Sequence, residues 1–212
     1  IHAVVGENGA GKSTLLRALA GLAPGRAATA EVLGGSGLPR SAAEAEARGL
    51  GHAPQELLLC DDLSVAEQVT LGREPRRRSG LVDRAAQRER ATLLLGHAGA
   101  SLDPDARVGG LRAPERKLVQ IARALAGEPR LLLLDEPSAS LDAPAAAAVA
   151  RLARAWTRRG ASVLLVTHQV EEVLARADVV TVLRDGRHVS TGPAAGLDAA
   201  ELVARMVGRT LP

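Results

Sequence analysis

The chain has 212 residues, of which 46% are hydrophobic, and its formal net charge at pH 7 is only +3. This length suits one well-buried domain with an inserted lobe and is short for two independent domains. The 24 acidic residues are interspersed among the 27 basic ones, so charge alone does not indicate a nucleic-acid partner. These residues contain no apolar run of membrane-spanning length and no secretory signal, so we expect any membrane role to come from a partner.

A glycine-rich segment near the start of the chain fits the phosphate-binding pattern G-x-x-x-x-G-K-[ST]. Its residues are Gly6, Glu7, Asn8, Gly9, Ala10, Gly11, Lys12, Ser13 and Thr14. The apolar run 3–5 predicts a buried strand before the segment, and leucines at helical spacing predict a helix after it. Glycines leave room for backbone N–H groups to close around a polyphosphate, and the N-terminus of a helix favours the same negative charge.

Two side chains of this segment have predicted roles in phosphate chemistry. Lys12 is expected to reach the β- and γ-phosphates of a nucleotide, and the Ser13 hydroxyl is expected to bind a magnesium ion that they share. Lysine occurs only at positions 12 and 117 of this arginine-rich chain, so position 12 carries a compact ammonium where arginine is the usual choice. The alternative is a glycine-rich turn that only packs a helix onto a strand, and the flanking pattern argues against it.

Short strands and capped helices are predicted after the first helix. The apolar patterns at 30–33 and 51–55 indicate strands. Ser41 and Ser64 each begin a capping box, in which a serine is followed three residues later by glutamate, and each predicts the start of a helix.

The pattern stays helical up to about residue 128 and then changes. Asp83 is a predicted cap, and Pro114 is predicted to open a further helix. Beyond this point strand and helix patterns alternate, at 131–134, 143–158, 163–166, 170–176 and 179–183. This alternation predicts a parallel sheet with helices on both faces. The pair Asp185-Gly186 predicts a tight turn of a hairpin at the sheet edge.

Polar side chains follow two of the predicted strands. Asp135 and Glu136 come after the strand 131–134, and His168 comes shortly after the strand 163–166. Ligands of open α/β sheets bind at the carboxyl ends of the strands, where the glycine-rich segment also lies. We therefore expect Asp135 to hold magnesium through water and Glu136 to orient a water that attacks the γ-phosphate. The alternatives are carboxylates that only cap a strand end and a histidine with a structural role.

The order of these motifs resembles that of the ATP-binding cassette (ABC) ATPases. The matching elements of that family are the Walker A loop, the Q-loop, Walker B, the D-loop and the H-loop. In this chain they correspond to residues 6–14, Gln55, residues 131–137, Ser140-Leu141-Asp142 and Thr167-His168. The resemblance covers essentially the whole chain. It implies that Gln55 contacts magnesium and senses a transmembrane partner, that Asp142 contacts the opposing cassette, and that His168 contacts the γ-phosphate.

A narrower likeness is to the first cassette of the tandem ATPases that power bacterial monosaccharide import. It rests on the segments 54–57, 63–67, 71–75 and 206–209. The resemblance implies that a second cassette follows in the same polypeptide. The chain also begins on the strand that enters the P-loop, so we expect it to be truncated at its N-terminus. The aromatic residue on which the family stacks adenine is therefore expected to lie outside these residues.

The signature motif of the family is the clearest departure. ABC proteins hydrolyse ATP at a dimer interface, where Leu-Ser-Gly-Gly-Gln of one cassette covers the ATP of the other. The corresponding residues here begin Leu111-Arg112-Ala113-Pro114, so the serine hydroxyl is absent and proline removes an N–H donor. We expect a degenerate signature and two composite sites of unequal activity.

The resemblance implies an α/β fold with a RecA-like P-loop NTPase core and an inserted helical subdomain. The core is expected at 1–56 and 129–212, and the helical subdomain at 57–128. The implied function is hydrolysis of ATP with Mg²⁺ for an importer, with sugar as the expected cargo. Permease subunits, a second cassette and, indirectly, a solute-binding protein are the expected partners, at the cytoplasmic face of the bacterial inner membrane. Two alternatives stay open: an ABC ATPase that acts on DNA or the ribosome, and a regulatory cassette with little hydrolysis.

Overall fold

The computed structural model describes residues 1–25, 29–139 and 141–208. Its strands are β1 (His2–Val5), β2 (Glu31–Val32), β3 (Gly35–Ser36), β4 (Leu50–Ala53), β5 (Leu131–Asp135), β6 (Ser162–Val166), β7 (Val179–Arg184) and β8 (Arg187–Pro193). Its α-helices are α1 (Lys12–Leu19), α2 (Ala42–Ala47), α3 (Val65–Thr70), α4 (Arg84–His97), α5 (Ala113–Leu125), α6 (Ala143–Arg158), α7 (Val170–Arg176) and α8 (Ala199–Val207). A short 3₁₀ helix spans Val108–Gly110.

Six of the strands form one sheet in the order β4-β5-β6-β1-β7-β8. Neighbouring strands are parallel, except that β8 at the edge runs antiparallel to β7. The remaining strands, β2 and β3, form a small antiparallel hairpin. The N-terminal strand β1 lies in the middle of the large sheet, so the loop after it opens at the centre of the sheet edge.

Helices cover both faces of this sheet because successive strand residues point to opposite sides. On one face, Ala3 and Val5 of β1 pack against a buried cluster that includes Val173 of α7 and Leu202 of α8. On the other face, Val4 of β1 packs in a cluster with α1. The doubly covered α/β architecture predicted from the sequence is confirmed.

The helices α3, α4 and α5 pack on one another and on one end of the sheet. The largest buried cluster joins Val69, Leu95 and Ile121 of these helices to Leu132 of β5 and Leu165 of β6. The three helices therefore share a hydrophobic core with the sheet. No helix in the described ranges is long and apolar enough to cross a membrane.

Local signals placed most of the element boundaries correctly. Ser64 forms the full capping box with Glu67, and Asp83 caps α4 by accepting backbone N–H bonds. At Ser41 only half of the predicted box forms, because the Glu44 carboxylate accepts from the backbone N–H of Arg40 rather than of Ser41.

The two hairpins differ in how well they were predicted. Asp185 and Gly186 both have positive φ, of 50° and 72°, and join β7 to the edge strand β8 as expected. The single strand predicted at 30–33 is wrong in extent, since Leu33 and Gly34, with φ of 53° and 80°, turn the chain between β2 and β3.

Candidate active site

The glycine-rich loop joins β1 to α1 through backbone conformations that favour glycine. Gly9 and Gly11 have φ of 85° and 96°, and Gly11 is the N-cap of α1. Gly6 is required by close approach, because a Cβ there would lie 2.2 Å from the backbone oxygen of Leu183. The start of the loop is therefore packed tightly against β7. Its later residues lead into the N-terminus of α1.

The side chain of Lys12 folds back over this loop. Its Nζ donates to the backbone oxygens of Gly6, at 2.8 Å, and of Glu7, at 3.0 Å. Only 6% of the residue is exposed. Among the described residues no carboxylate forms a salt bridge with Lys12, so its ammonium can also interact with an anion in the site.

An open cavity of about 380 Å³ lies above the loop and brings most of the predicted site residues together. It is lined by Asn8, Gly9, Gly11, Lys12, Ser13, Thr14, Gln55, Glu136 and His168. Four predicted residues do not line it: Gly6, Glu7, Ala10 and Asp135. Of these, Ala10 is buried, and its N–H donates to the Glu7 oxygen to close the loop.

Glu136 is the centre of a small hydrogen-bond network. One carboxylate oxygen accepts from Nε2 of Gln55 at 3.3 Å, and the other lies 2.9 Å from Nδ1 of His168. Its backbone N–H donates to the oxygen of Val166 at the end of β6. Glu136 also has a φ of 44°, which is strained for a residue with a side chain. The backbone of Glu136 is therefore strained, and Gln55 and His168 hold its carboxylate between them.

Asp135 is buried at the end of β5, with 4% of the residue exposed. Its Oδ1 has no hydrogen-bond partner in the described part of the chain. Burial raises the pKa of Asp135, and the nearby Glu136 carboxylate adds to this, whereas Ser13 and the two lysines oppose it. A divalent cation would supply the missing partner and stabilise the ionised form.

The oxygen donors of this site are of the kind that binds magnesium. The described residues contain no group of three or more His, Cys, Asp or Glu side chains placed to hold a metal. Mg²⁺ is usually held by one or two protein oxygens together with water and substrate phosphates. Ser13, Gln55 and Asp135 offer oxygen donors of this kind, so the donor set fits magnesium.

The raised pKa of Asp135 gives a pH-dependent stability. The folded chain binds the proton more tightly than the unfolded chain, so this group lowers the free energy of unfolding as pH rises through its folded pKa. We expect Asp135→Asn to raise the melting temperature of the full-length, metal-free protein at neutral pH, with a smaller gain at acidic pH, where Asp135 becomes protonated. Asp198→Asn at the exposed cap of α8 is the control and should give no such gain. A lower melting temperature for Asp135→Asn at pH 7 would contradict this account.

Lys117 is a site residue that the motifs did not assign. From α5 its Nζ donates to the backbone oxygens of Pro54, at 2.7 Å, and of Gln55, at 3.3 Å. Burial lowers its pKa to about 8, against the attraction of Asp135 and Glu136. The only sequence signal for Lys117 was composition. The chain has two lysines, of which Lys12 contacts the glycine-rich loop and Lys117 contacts the segment that carries Gln55.

The remaining motif residues lie away from the cavity. Arg112 is exposed and pairs with Glu115 at the start of α5, and Pro114 lies in the first turn of that helix. Asp142 caps α6 by accepting from the N–H of Ala145 at 2.9 Å. Ser140 of the predicted D-loop and Arg209 of the terminal motif lie outside the described residues.

Two relatives of the chain are named as ribose import proteins. Ribose import ATP-binding protein RbsA 2 of Rubrobacter xylanophilus is 44% identical over 212 residues, which cover 100% of this chain and 41% of the relative. Ribose import ATP-binding protein RbsA of Rhodococcus jostii is 40% identical over 211 residues, which cover 99% of this chain and 42% of the relative. The chain therefore spans about two fifths of the length of these relatives.

Solved structures of ATP-binding cassettes have the same fold. The cassette MJ0796, as a dimer in a post-hydrolysis state bound to ADP and Pi, superimposes with a TM-score of 0.81 at 23% identity, covering 93% of this chain and 86% of that one. The cassette cbiO1 of Clostridium perfringens, part of the ABC transporter complex cbiONQ, gives a TM-score of 0.74 at 25% identity, covering 98% of this chain and 82% of that one. These matches confirm the predicted fold class.

The family model described as ABC transporter matches residues 1–139. This match covers more than half of the chain and includes the glycine-rich loop, Gln55 and the two carboxylates at the end of β5. The chain belongs to the ABC transporter family.

Proposed function

We propose that this chain is the ATP-binding cassette of an importer and that it hydrolyses ATP with Mg²⁺. One observation carries the proposal: a single cavity at the carboxyl ends of β1, β4, β5 and β6 is lined by Lys12, Ser13, Gln55, Glu136 and His168. A phosphate-binding loop and a hydrogen-bonded carboxylate that line the same cavity suit transfer of a phosphoryl group to water.

The loop residues 6–14 would bind the phosphates of ATP. The N–H groups at the start of α1 and the Lys12 ammonium would neutralise the charge of the β- and γ-phosphates. Bound magnesium would neutralise charge that develops on the phosphates. The residues that would hold it are Ser13, Gln55 and Asp135.

Glu136 would orient the attacking water. A carboxylate can accept a proton from water while the water oxygen faces the γ-phosphate, which is the work of a general base. Gln55 and His168 now occupy its two oxygens and fix its direction. His168 is half exposed, so it can turn toward a γ-phosphate in the same cavity.

We also propose the division of the chain into two structural parts. Residues 1–56 and 129–212 would form the nucleotide-binding core, and residues 57–128, here called the helical lobe, would form the inserted subdomain. The packing of α3, α4 and α5 on one another supports this division. Because the lobe shares a buried cluster with the sheet, any movement between the two parts has to be small or to shear this cluster.

The names of the relatives support an importer of a sugar such as ribose. The partners would be permease subunits, a second cassette in the same polypeptide and, indirectly, a solute-binding protein. The protein would lie at the cytoplasmic face of the bacterial inner membrane, bound to the permease. A groove lined by Pro54 and by the exposed Leu22 and Leu58 lies next to Gln55 in the chain, and we propose that a permease segment docks there.

The degenerate signature would make the two ATP sites of the assembled protein unequal. This cassette keeps its own catalytic residues, whereas the opposite site would have to use Arg112 and Pro114. Loss of one preorganised donor typically costs on the order of 100-fold in rate. We expect the double change Arg112→Ser with Pro114→Gly to raise hydrolysis at the opposite site at least about tenfold, measured in full-length protein whose first cassette carries Glu136→Gln. An unchanged rate would mean that the signature is not the cause.

The test of the importer assignment is the response of ATP hydrolysis to the permease. The full-length protein in liposomes with its permease should hydrolyse ATP faster than without it, and the solute-binding protein with ribose should increase the rate further. Stimulation by DNA or ribosomes instead would favour the first alternative function. ATP binding without hydrolysis under all these conditions would favour the regulatory cassette.

A further inference from the structure

The segment 54–60 leads from the end of β4 toward α3 and carries Gln55. Outside helices and strands, the described residues form no backbone–backbone hydrogen bond that involves 54–59. Residues 55–58 are all exposed. A segment of this kind has little conformational preference of its own, so its position has to come from the side chains that contact its backbone.

Three buried side chains of the helical lobe make these contacts. Lys117 donates to the oxygens of Pro54 and Gln55, and Gln120, one turn later in α5, donates to the oxygen of Glu56 at 2.6 Å. Gln68 of α3 accepts from the N–H of Cys60 at 2.8 Å. Lys117, Gln120 and Gln68 are each at most 4% exposed. Three consecutive carbonyl groups are thus held from one face of α5.

The position of Gln55 matters because its amide contacts Glu136. The contacts form a continuous path from α5 through Lys117 to Gln55, and from Gln55 to Glu136 and His168. The hydrogen bonds of the ammonium are charge-assisted. The bond to Pro54 is short, at 2.7 Å, and the bond to Gln55 is longer, at 3.3 Å, so Lys117 holds the segment mainly at Pro54, directly before Gln55. Buried donors aimed at carbonyl groups hold a single arrangement, since a displaced carbonyl would leave them unpaired.

We propose that Lys117 and Gln120 are positioning residues for the hydrolytic carboxylate: they fix Gln55 to the helical lobe, so that Glu136 is held correctly only when the lobe is in place. This inference rests on the proposed ATPase function and names how the lobe acts on the site. Lys117 acts through Gln55 and needs no contact with the nucleotide.

The test measures the order of the segment and the chemistry separately. Lys117→Met removes both donors and the charge but keeps an unbranched side chain, and Gln120→Leu removes the donor to Glu56 without changing a charge. A nitroxide on Leu58→Cys, an exposed site in the segment, reports local mobility by electron paramagnetic resonance in full-length protein without other reactive cysteines. The label should become more mobile in both variants. The kcat for ATP hydrolysis should fall about tenfold, while the Kd for ATP changes less than about twofold.

Gln87→Leu is the matched control. Gln87 is a buried glutamine of the same lobe, 2% exposed, and it donates to Thr70 within the lobe rather than to the segment. This variant should lower the melting temperature but leave the label mobility and kcat unchanged. Lys117→Gln keeps one donor group and should recover part of the lost kcat.

The outcomes separate this inference from the proposed function. Unchanged mobility in both Lys117→Met and Gln120→Leu would overturn the positioning role even if the wild-type protein hydrolyses ATP. Equal effects of Gln87→Leu would also overturn it, because general destabilisation would then be the cause. If the wild-type protein does not hydrolyse ATP, the proposed function fails, and the mobility of the label still decides whether α5 holds the segment.

Discussion

Glu136→Gln is expected to reduce ATP hydrolysis by the full-length protein at least about 100-fold and to leave the Kd for ATP within about twofold of wild type. Glutamine keeps the shape of the side chain but cannot accept a proton from the attacking water. Its amide can also still pair with one of the two neighbours of Glu136, so the cavity should keep its form. The measurement is phosphate release in the steady state together with equilibrium binding of ATP.

Glu128→Gln is a closely matched control for this variant. Glu128 is also a non-glycine residue with positive φ, of 50°, and it is exposed outside the cavity of the candidate site. Its replacement should leave the hydrolysis rate unchanged. A Glu136→Gln protein that retains more than about a tenth of the wild-type rate would exclude Glu136 as the general base.

Lys12→Ala is expected to weaken ATP binding to this cassette about 100-fold. Hydrogen bonds between charged groups contribute about 1.5–3 kcal/mol each, and about 1.4 kcal/mol corresponds to a tenfold change in Kd. Lys12 has no salt bridge in the described part of the chain, so its charge is expected to be directed to the phosphates. Isothermal titration of the full-length protein with ATP should show one fewer high-affinity site.

Arg17→Ala serves as the control, since Arg17 is an exposed cation of the same helix. It should leave both the number of sites and their affinities unchanged. The melting temperature of Lys12→Ala without nucleotide should also be recorded, because Lys12 bonds two loop oxygens. If Lys12→Ala bound ATP with wild-type affinity at the same number of sites, the proposal that this loop binds the nucleotide would be wrong.

The fold was predictable from the sequence because local and long-range signals agree. The predicted helices 143–158 and 170–176 match α6 and α7 at both ends. Asp142 caps α6, and the apolar or alanine-rich pattern of each helix indicated its length. The leucine run of β5 is a buried parallel strand, as its continuous apolar pattern indicates. The β2–β3 hairpin was not predicted because its strands have only two residues each, too few to show a period of two.

The candidate site was predictable only where a motif specifies a residue. The loop, the two carboxylates and His168 each lie at or just after the carboxyl end of a strand, so the parallel sheet brings them to one edge. The contacts of Lys117 and Gln120 were not predictable, because they depend on how α5 packs against a segment about 60 residues earlier in the chain. No local pattern encodes such a contact. The rarity of lysine marked Lys117 as unusual but gave it no partner.

The most direct test of the central claim is a single-turnover measurement of phosphate release from this cassette. Full-length protein in which the P-loop lysine of the proposed second cassette has been replaced would be mixed with less than one equivalent of ATP, in the presence of its permease and with or without Mg²⁺. We expect release of the bound γ-phosphate with Mg²⁺ and none without it, and loss of this release in the Glu136→Gln variant. Recovery of intact ATP from the wild-type cassette with Mg²⁺ would contradict the account.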